Sequence, residues 1–247
     1  MAKGKLLIIE GTDCSGKETQ TNLLFDKLTK NGVKVGRMSF PNYQSPTGRI
    51  IGACVLGKPQ MVEESLKTSG SFFPEGGGNI DPLAACDFYA ADRRYNLPVL
   101  EKLLEENELV IIDRYVTSNM AHRGGLLKSK EERLKIYEKI DMLEYVINEL
   151  PRPDKTILLY LPFEYAKVLK QHRKEKPDEV ENDEEYLKRG EEAYLELAKL
   201  YNYDTINCAS DSKIRTIEDI NEELYNKIIG LVRKWKQMTL IMNCRKN

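Results

Sequence analysis

The chain runs from Leu6-Leu7-Ile8-Ile9 through a glycine loop, Gly11-Thr12-Asp13-Cys14-Ser15-Gly16-Lys17-Glu18-Thr19, into an amphipathic stretch, and this succession constrains it most. Gly11, four residues, then Gly16-Lys17 is the spacing of a phosphate-binding loop, in the strand–loop–helix setting that gives the pattern meaning. Glycines let backbone N–H groups turn toward phosphate oxygens. The helix N-terminus adds its positive dipole end, and Lys17 reaches the outer phosphates. Residues 11 to 19 are therefore the expected ATP site. Where a Ser or Thr hydroxyl would normally meet Mg²⁺, this chain has Glu18, with Thr19 one place later.

Bulk properties narrow the class. A chain of 247 residues is long enough for one α/β domain with a filled core. A net charge of −1 argues against general nucleic-acid binding, so any anion site must be local. The five cysteines, Cys14, Cys54, Cys86, Cys208 and Cys244, show no CxxC or metal spacing and read as reduced thiols of a cytoplasmic protein. No apolar run reaches the ~18 residues of a membrane span, and no signal-peptide core follows Met1.

Apolar runs alternate with helical patterns, the mark of a parallel sheet built from βαβ units. Strands are expected at Leu6–Glu10, Lys34–Phe40, Leu109–Asp113, Thr156–Leu161 and Asp204–Asn207. A helical pattern from about Leu83 to Glu106 contains Pro98, which should kink or split it. Ile217, Ile220, Leu224, Ile228, Leu231 and Trp235 recur at helical spacing behind a Thr216-x-x-Asp219 start, making Trp235 a core anchor. Lys67 to Pro82, with three consecutive glycines, reads as a mobile loop. Residues 238 to 247 read as an extension after the last helix.

Leu109 to Ile112 ends in Asp113-Arg114-Tyr115. Ligands of parallel sheets lie beyond the carboxyl ends of the strands, where this segment and the glycine loop would both emerge. Asp113 can hold Mg²⁺ and Arg114 can fork onto a phosphate. A bland alternative, in which the two residues cap the strand or pair together, loses ground beside a phosphate loop.

The segment DRYVTSNMAHRGG resembles the signature of thymidylate kinases, P-loop nucleoside monophosphate kinases. Phe40-Pro41-Asn42-Tyr43 with Gly48, FYAADRRY from Phe88 and EEAYLELAKLY from Glu191 are similar to further segments of that family, over roughly Lys5 to Arg233. The resemblance implies an α/β three-layer P-loop fold, with a central parallel sheet flanked by helices and a mobile lid at about 170–183, as a single domain over 1–247. It implies a homodimer using ATP and Mg²⁺. It places Asp13 at the sugar, Arg114 on the acceptor phosphate with Phe40 and Tyr43 beside it, and Tyr89 stacked on the base. Arg93 would bond to base O4, and Ser118 and Asn119 would reach the base edge. Tyr89 and Arg93 are one helical turn apart and can face one ligand. A shifted register, Phe88 with Asp92, would put an acid where a donor is wanted.

Three departures stand out. Glu18 replaces the metal-binding hydroxyl, leaving Glu18, Thr19 and Asp113 as metal candidates. His122-Arg123 replaces the usual aromatic and polar pair, so His122 is expected at the substrate and its sugar or base selection is open. Cys14 stands where some members carry an arginine that assists transfer. The cation would then come from the lid, whose basic residues are Lys170, His172, Arg173 and Lys174, with Arg173 the choice. The expected catalytic set is Lys17, Arg114 and Arg173. The reaction is ATP-dependent phosphorylation of dTMP to dTDP. A kinase for dUMP or another pyrimidine monophosphate, and a nucleotide-binding regulator without turnover, are the rivals.

Overall fold

Five strands form the central sheet: β1 (Lys5–Gly11), β2 (Val35–Ser39), β3 (Leu109–Asp113), β4 (Lys155–Tyr160) and β5 (Asp204–Asn207). The structure is a computed structural model, and it describes residues 3–61, 73, 80–171, 184–210 and 212–244. The strand order is β2-β3-β1-β4-β5 with every neighbouring pair parallel. β1 and β3 are adjacent, Ile9 opposite Asp113, so the glycine loop and the Asp113-Arg114 turn leave the same edge side by side.

The strands read as uninterrupted apolar runs because both sheet faces are covered. Leu6, Ile8, Val110, Ile112 and Leu158 point to one side, where they pack with helices α4 (Leu97–Glu106), α5 (Val116–Gly124), α6 (Lys130–Asp141) and α8 (Glu184–Leu200). Leu7, Ile9, Ile111, Ile157 and Leu159 point to the other, against α1 (Lys17–Lys30) and α9 (Ile217–Cys244). Leu7, Ile8 and Ile9 are wholly buried. Each such side chain contributes roughly 1.5–3 kcal/mol. The result is a helix–sheet–helix sandwich, the α/β class expected from the alternating pattern.

The helical pattern around Pro98 is two helices, α3 (Pro82–Tyr95) and α4, separated at Asn96. Pro98 sits in the first turn of α4, where its missing N–H costs nothing. Asp81 caps α3, accepting from the backbone N–H of Leu83 and Ala84 (both 3.0 Å), so the expected loop to Pro82 stops short of that residue. The rest of 67–82, apart from Phe73 and Ile80, lies outside the described residues. Thr216 caps α9 by accepting the Asp219 N–H at 3.1 Å. Trp235 is half-buried against the α1–α9 side of the core, with Lys5 above its ring. α9 continues to Cys244, which corrects the expectation that the helix ends before residue 238. A hairpin of two-residue strands, β6 (Ala209–Ser210) and β7 (Lys213–Ile214), follows β5 and is too short to show alternation in sequence. The remaining helical elements among the described residues are α2 (Pro46–Ile50), followed by a π-helical turn (Ile51–Val55) and a short 3-10 turn (Pro59–Met61), a π-helical turn after α6 (Met142–Ile147), and α7 (Phe163–Gln171).

Candidate active site

The glycine loop is tied to β4 by Thr12. Its N–H donates to Leu159 O at 3.1 Å, and its hydroxyl donates to Leu161 O at 2.7 Å while accepting the Leu161 N–H at 2.8 Å. Cys14 (φ 53°) and Gly16 (φ 74°) are left-handed, which turns the loop back on itself. At Gly11 a Cβ would lie 2.4 Å from Ser15 Oγ and 2.8 Å from the Leu159 carbonyl, so the close approach needs glycine. Gly16 caps α1 with no side chain bonded to the first-turn N–H groups, and Ser15 Oγ is buried without a partner. An anion fits that cradle. Lys17, the next residue, is buried beneath it. Burial, then the like charge of Arg114, lower its pKa to about 8 against the pull of Asp113, Glu10 and Asp13.

Beside the loop, Arg114 holds a left-handed backbone (φ 64°) that redirects the chain from β3 into α5. The turn is held by Glu10, a wholly buried acid near the end of β1. Its carboxylate accepts the Tyr115 N–H at 2.8 Å, the Ser118 N–H at 3.1 Å and the Ser118 hydroxyl at 2.7 Å. Burial raises the Glu10 pKa, and these bonds and the nearby Arg114 and Lys17 oppose the rise. Asp113 Oδ1 is buried with no partner, an acceptor left over for a cation or its water. Among the described residues no group of three His, Cys, Asp or Glu side chains could hold a metal. Mg²⁺ commonly takes only one or two protein carboxylates and completes its shell with phosphate and water.

The far end of the site belongs to α3 and α5. Arg93 is buried and forks onto Glu144, Nε donating at 2.8 Å and Nη2 to the second oxygen. Asn119 Nδ2 donates toward Glu144 and Cys86 O, both at 3.2 Å. Asp92 is turned to the segment from Asn42 to Thr47 and is absent from the cavity lining, contrary to the shifted register, which would turn it to the ligand. His122 is half-buried against α8, its Nδ1 2.8 Å from the Tyr186 hydroxyl. Burial, then Arg114 and Arg123, lower its pKa to about 3, so the ring is neutral.

One cavity of about 400 Å³ joins these parts. Gly11, Asp13, Glu18, Phe40, Tyr43, Tyr89, Arg93, Arg114, Ser118, Asn119 and His122 all line it. Thr12, Cys14, Ser15, Gly16, Lys17 and Asp113 build the loop and strand end beneath the wall rather than the wall itself. Thr19 is exposed on α1 and away from the lining. Arg173, His172 and Lys174 lie outside the described residues. Lys170 at the end of α7 is described, and its ammonium meets Asp13 Oδ2 at 2.5 Å. Sequence reading gave no site role to Glu10, Glu144, Lys58, Tyr186 and Tyr194, and named Arg123 only beside His122 as a departure from the family pattern. Arg123 Nε is buried on the cavity side with no partner.

The family model described as thymidylate kinase matches residues 9–220, spanning the glycine loop, the whole cavity and α8. The chain belongs to the thymidylate kinase family. A probable thymidylate kinase of Thermococcus gammatolerans is 31% identical over 94% of this chain and 97% of its own length. A thymidylate kinase of Plasmodium falciparum is 26% identical over 92% and 90%. Among solved structures, the thymidylate kinase of Candida albicans superposes with a TM-score of 0.66 at 24% identity, covering 93% of each chain, a likeness of fold. Within the thymidylate kinase frame, Glu18 and the His122-Arg123 pair both face the shared cavity.

Proposed function

We propose that this kinase transfers the γ-phosphoryl group of ATP to dTMP, giving dTDP. The observation that carries the reading is the single cavity running from the glycine loop and Arg114 to Tyr89, Arg93 and Asn119. A nucleoside monophosphate placed there has its phosphate at Arg114 and its base at α3. Phe40 and Tyr43 flank the phosphate end, Tyr89 stacks on the base, Arg93 donates to O4, and Ser118 and Asn119 complete the base edge. Asp13 and His122 border the sugar.

The attacking oxygen is an ionised phosphate oxygen, so no strong general base is needed. Catalysis rests on alignment and on neutralising charge. The loop N–H groups and Lys17 hold the donor phosphates, Arg114 holds the acceptor, and Arg173 supplies the third cation, because Cys14 in the loop carries no positive charge. Asp113, with its partnerless Oδ1, and Glu18, on the cavity wall, are the carboxylates that would hold Mg²⁺, which supplies charge neutralisation across the phosphates when bound. Thr19, the remaining candidate, is exposed on α1 away from the lining and takes no part.

The protein acts as a homodimer in the cytoplasm. Leu83 and Tyr95 of α3, Val99 of α4, and Met142, Val146 and Ile147 of the π-helical turn after α6 expose apolar surface. Arg94 of α3 donates to Asn148 O at 2.9 Å and joins the two elements. A second copy would cover this face, and Val146→Glu with Ile147→Glu should give a monomer by sedimentation. Among the described residues no helix is long and apolar enough to cross a membrane.

The decisive assay follows ADP release and product with ATP, Mg²⁺ and a panel of dTMP, dUMP, dCMP and dGMP. Turnover highest with dTMP supports the reading. Better turnover with dCMP or dGMP, or ADP release indifferent to the monophosphate, overturns it.

A further inference from the structure

Glu144 sits on the wide π-helical turn Met142–Ile147, wholly buried, in a stretch without any motif. π-Turns interrupt helices at a cost and recur at functional sites. This one delivers a carboxylate to the back of the cavity wall, where it touches both base-facing residues. It takes the Nε and Nη2 edge of Arg93. Its Oε1 also accepts from Asn119 Nδ2 at 3.2 Å. A buried ion pair is a weak source of stability compared with apolar packing, so the fold alone gives little reason for it.

The chemistry fixes both partners. With Nε and one Nη2 N–H held by Glu144, and Nη1 also donating to Tyr115 O at 3.5 Å, the N–H groups that Arg93 has left for a ligand lie on its Nη1–Nη2 end, and all of them are donors. Asn119 Nδ2 faces three acceptors: Glu144 Oε1, Cys86 O at 3.2 Å and Cys86 Sγ at 3.0 Å. A flipped amide would set oxygen against carboxylate and carbonyl. Oδ1 is therefore the free end, and it is buried without a partner. The wall presents one fixed donor and one fixed acceptor.

We infer that Glu144 is the positioning residue for base selection: through Arg93 and Asn119 it sets a donor–acceptor pair that fits a 4-oxo, N3–H pyrimidine and opposes cytosine. Thymine and uracil offer N3–H to Asn119 Oδ1 and O4 to Arg93. Cytosine places a bare N3 against that oxygen and an amino group against the guanidinium, leaving buried groups unpaired. Glu144 also cancels the charge of Arg93. Arg114 and Arg123 lack a carboxylate partner among the described residues, so the phosphate is drawn to their part of the cavity and not to the base end.

The inference rests on the proposed kinase reading, and the test separates the two. Steady-state kinetics with dTMP and dCMP are measured on the wild type, Glu144→Gln and Glu144→Asp, with thermal melts. In Glu144→Gln we expect KM for dTMP to rise at least about tenfold with kcat within about threefold, KM for ATP unchanged, and dTMP-over-dCMP preference in kcat/KM to fall at least about tenfold. Glu144→Asp keeps the charge that Arg93 needs for folding but is too short to serve both partners, so its preference should fall less. If Glu144→Gln does not fold, Glu144→Asp decides alone: a reduced preference supports the inference, and wild-type preference overturns it. A folded Glu144→Gln that keeps the preference, or loses activity on both substrates in parallel, overturns it while leaving the kinase reading intact. A wild-type protein that ignores dTMP overturns that reading and this inference with it.

Discussion

Asp92 holds Asn42 in place: its Oδ2 accepts the Asn42 backbone N–H at 2.8 Å, across fifty residues of sequence. Its Oδ1 takes the hydroxyls of Thr47 (2.6 Å) and Ser45 (3.0 Å) and the Asn96 amide (2.9 Å). The carboxylate thus clamps the Phe40–Tyr43 segment onto α3. Asp92→Asn puts a donor among donors. It should cost about 2 kcal/mol in urea unfolding and raise KM for dTMP more than KM for ATP. Unchanged stability would show the clamp to be slack.

Lys17→Ala should lower transfer by on the order of 10³-fold or more without lowering Tm, since a buried cation is removed. Near-normal turnover in the folded variant would take Lys17 out of the mechanism.

The lowered pKa of Lys17, about 8, has a pH signature. Between pH 8 and the ordinary 10.5 the unfolded chain holds a proton the native state lacks, so Lys17 contributes a rise in stability across that window. Triphosphate favours the charged form, so ATP binding should take up a proton above pH 8 and weaken as pH rises through it. Calorimetry in buffers of different ionisation enthalpy reads the uptake; none at pH 8.5 would contradict the assignment.

His122 should stay uncharged from pH 5 to 8, because its pKa is lowered to about 3. The unfolded chain protonates near 6.5 and the native ring does not, so this residue costs stability as pH falls from 6.5 toward 3. Its imidazole NMR shifts should be flat from pH 5 to 8, and a midpoint near 6.5 would refute the neutral state.

Arg173→Ala should reduce kcat at least about tenfold, equivalent to ~1.4 kcal/mol of barrier, with little change in KM for dTMP. Lys170 and Lys174 are tested singly beside it. Loss of Lys170 also releases Asp13 from its ion pair. If none of the three slows single-turnover transfer, the basic run has no part in the chemistry.

The sheet was legible because β1, β3 and β4 are covered on both faces and so are written as continuous apolar runs. The glycine loop was legible because its geometry demands particular residues at fixed spacing. Glu10, Asp92 and Glu144 were not recognised. Each is a buried acid whose partners lie far along the chain, 105 residues from Glu10 to Tyr115 and 51 from Arg93 to Glu144. Local periodicity reports apolar burial, and an isolated acid in a strand or helix reads as surface until its distant donor is known. Tyr186 and Tyr194 escaped for the same reason, being ordinary aromatics of an amphipathic helix.

Arg114 and Arg123 line the cavity with no carboxylate within ion-pair distance of either among the described residues. For inhibitor chemistry this divides the cavity into unequal halves. A neutral nucleoside mimic would strip water from two guanidiniums and return no counter-charge, a penalty that added aromatic surface at Tyr89 must first overcome. An anionic isostere at the phosphate end avoids it. The Arg93 end, already neutralised by Glu144, is where uncharged variation in a lead compound is best tolerated.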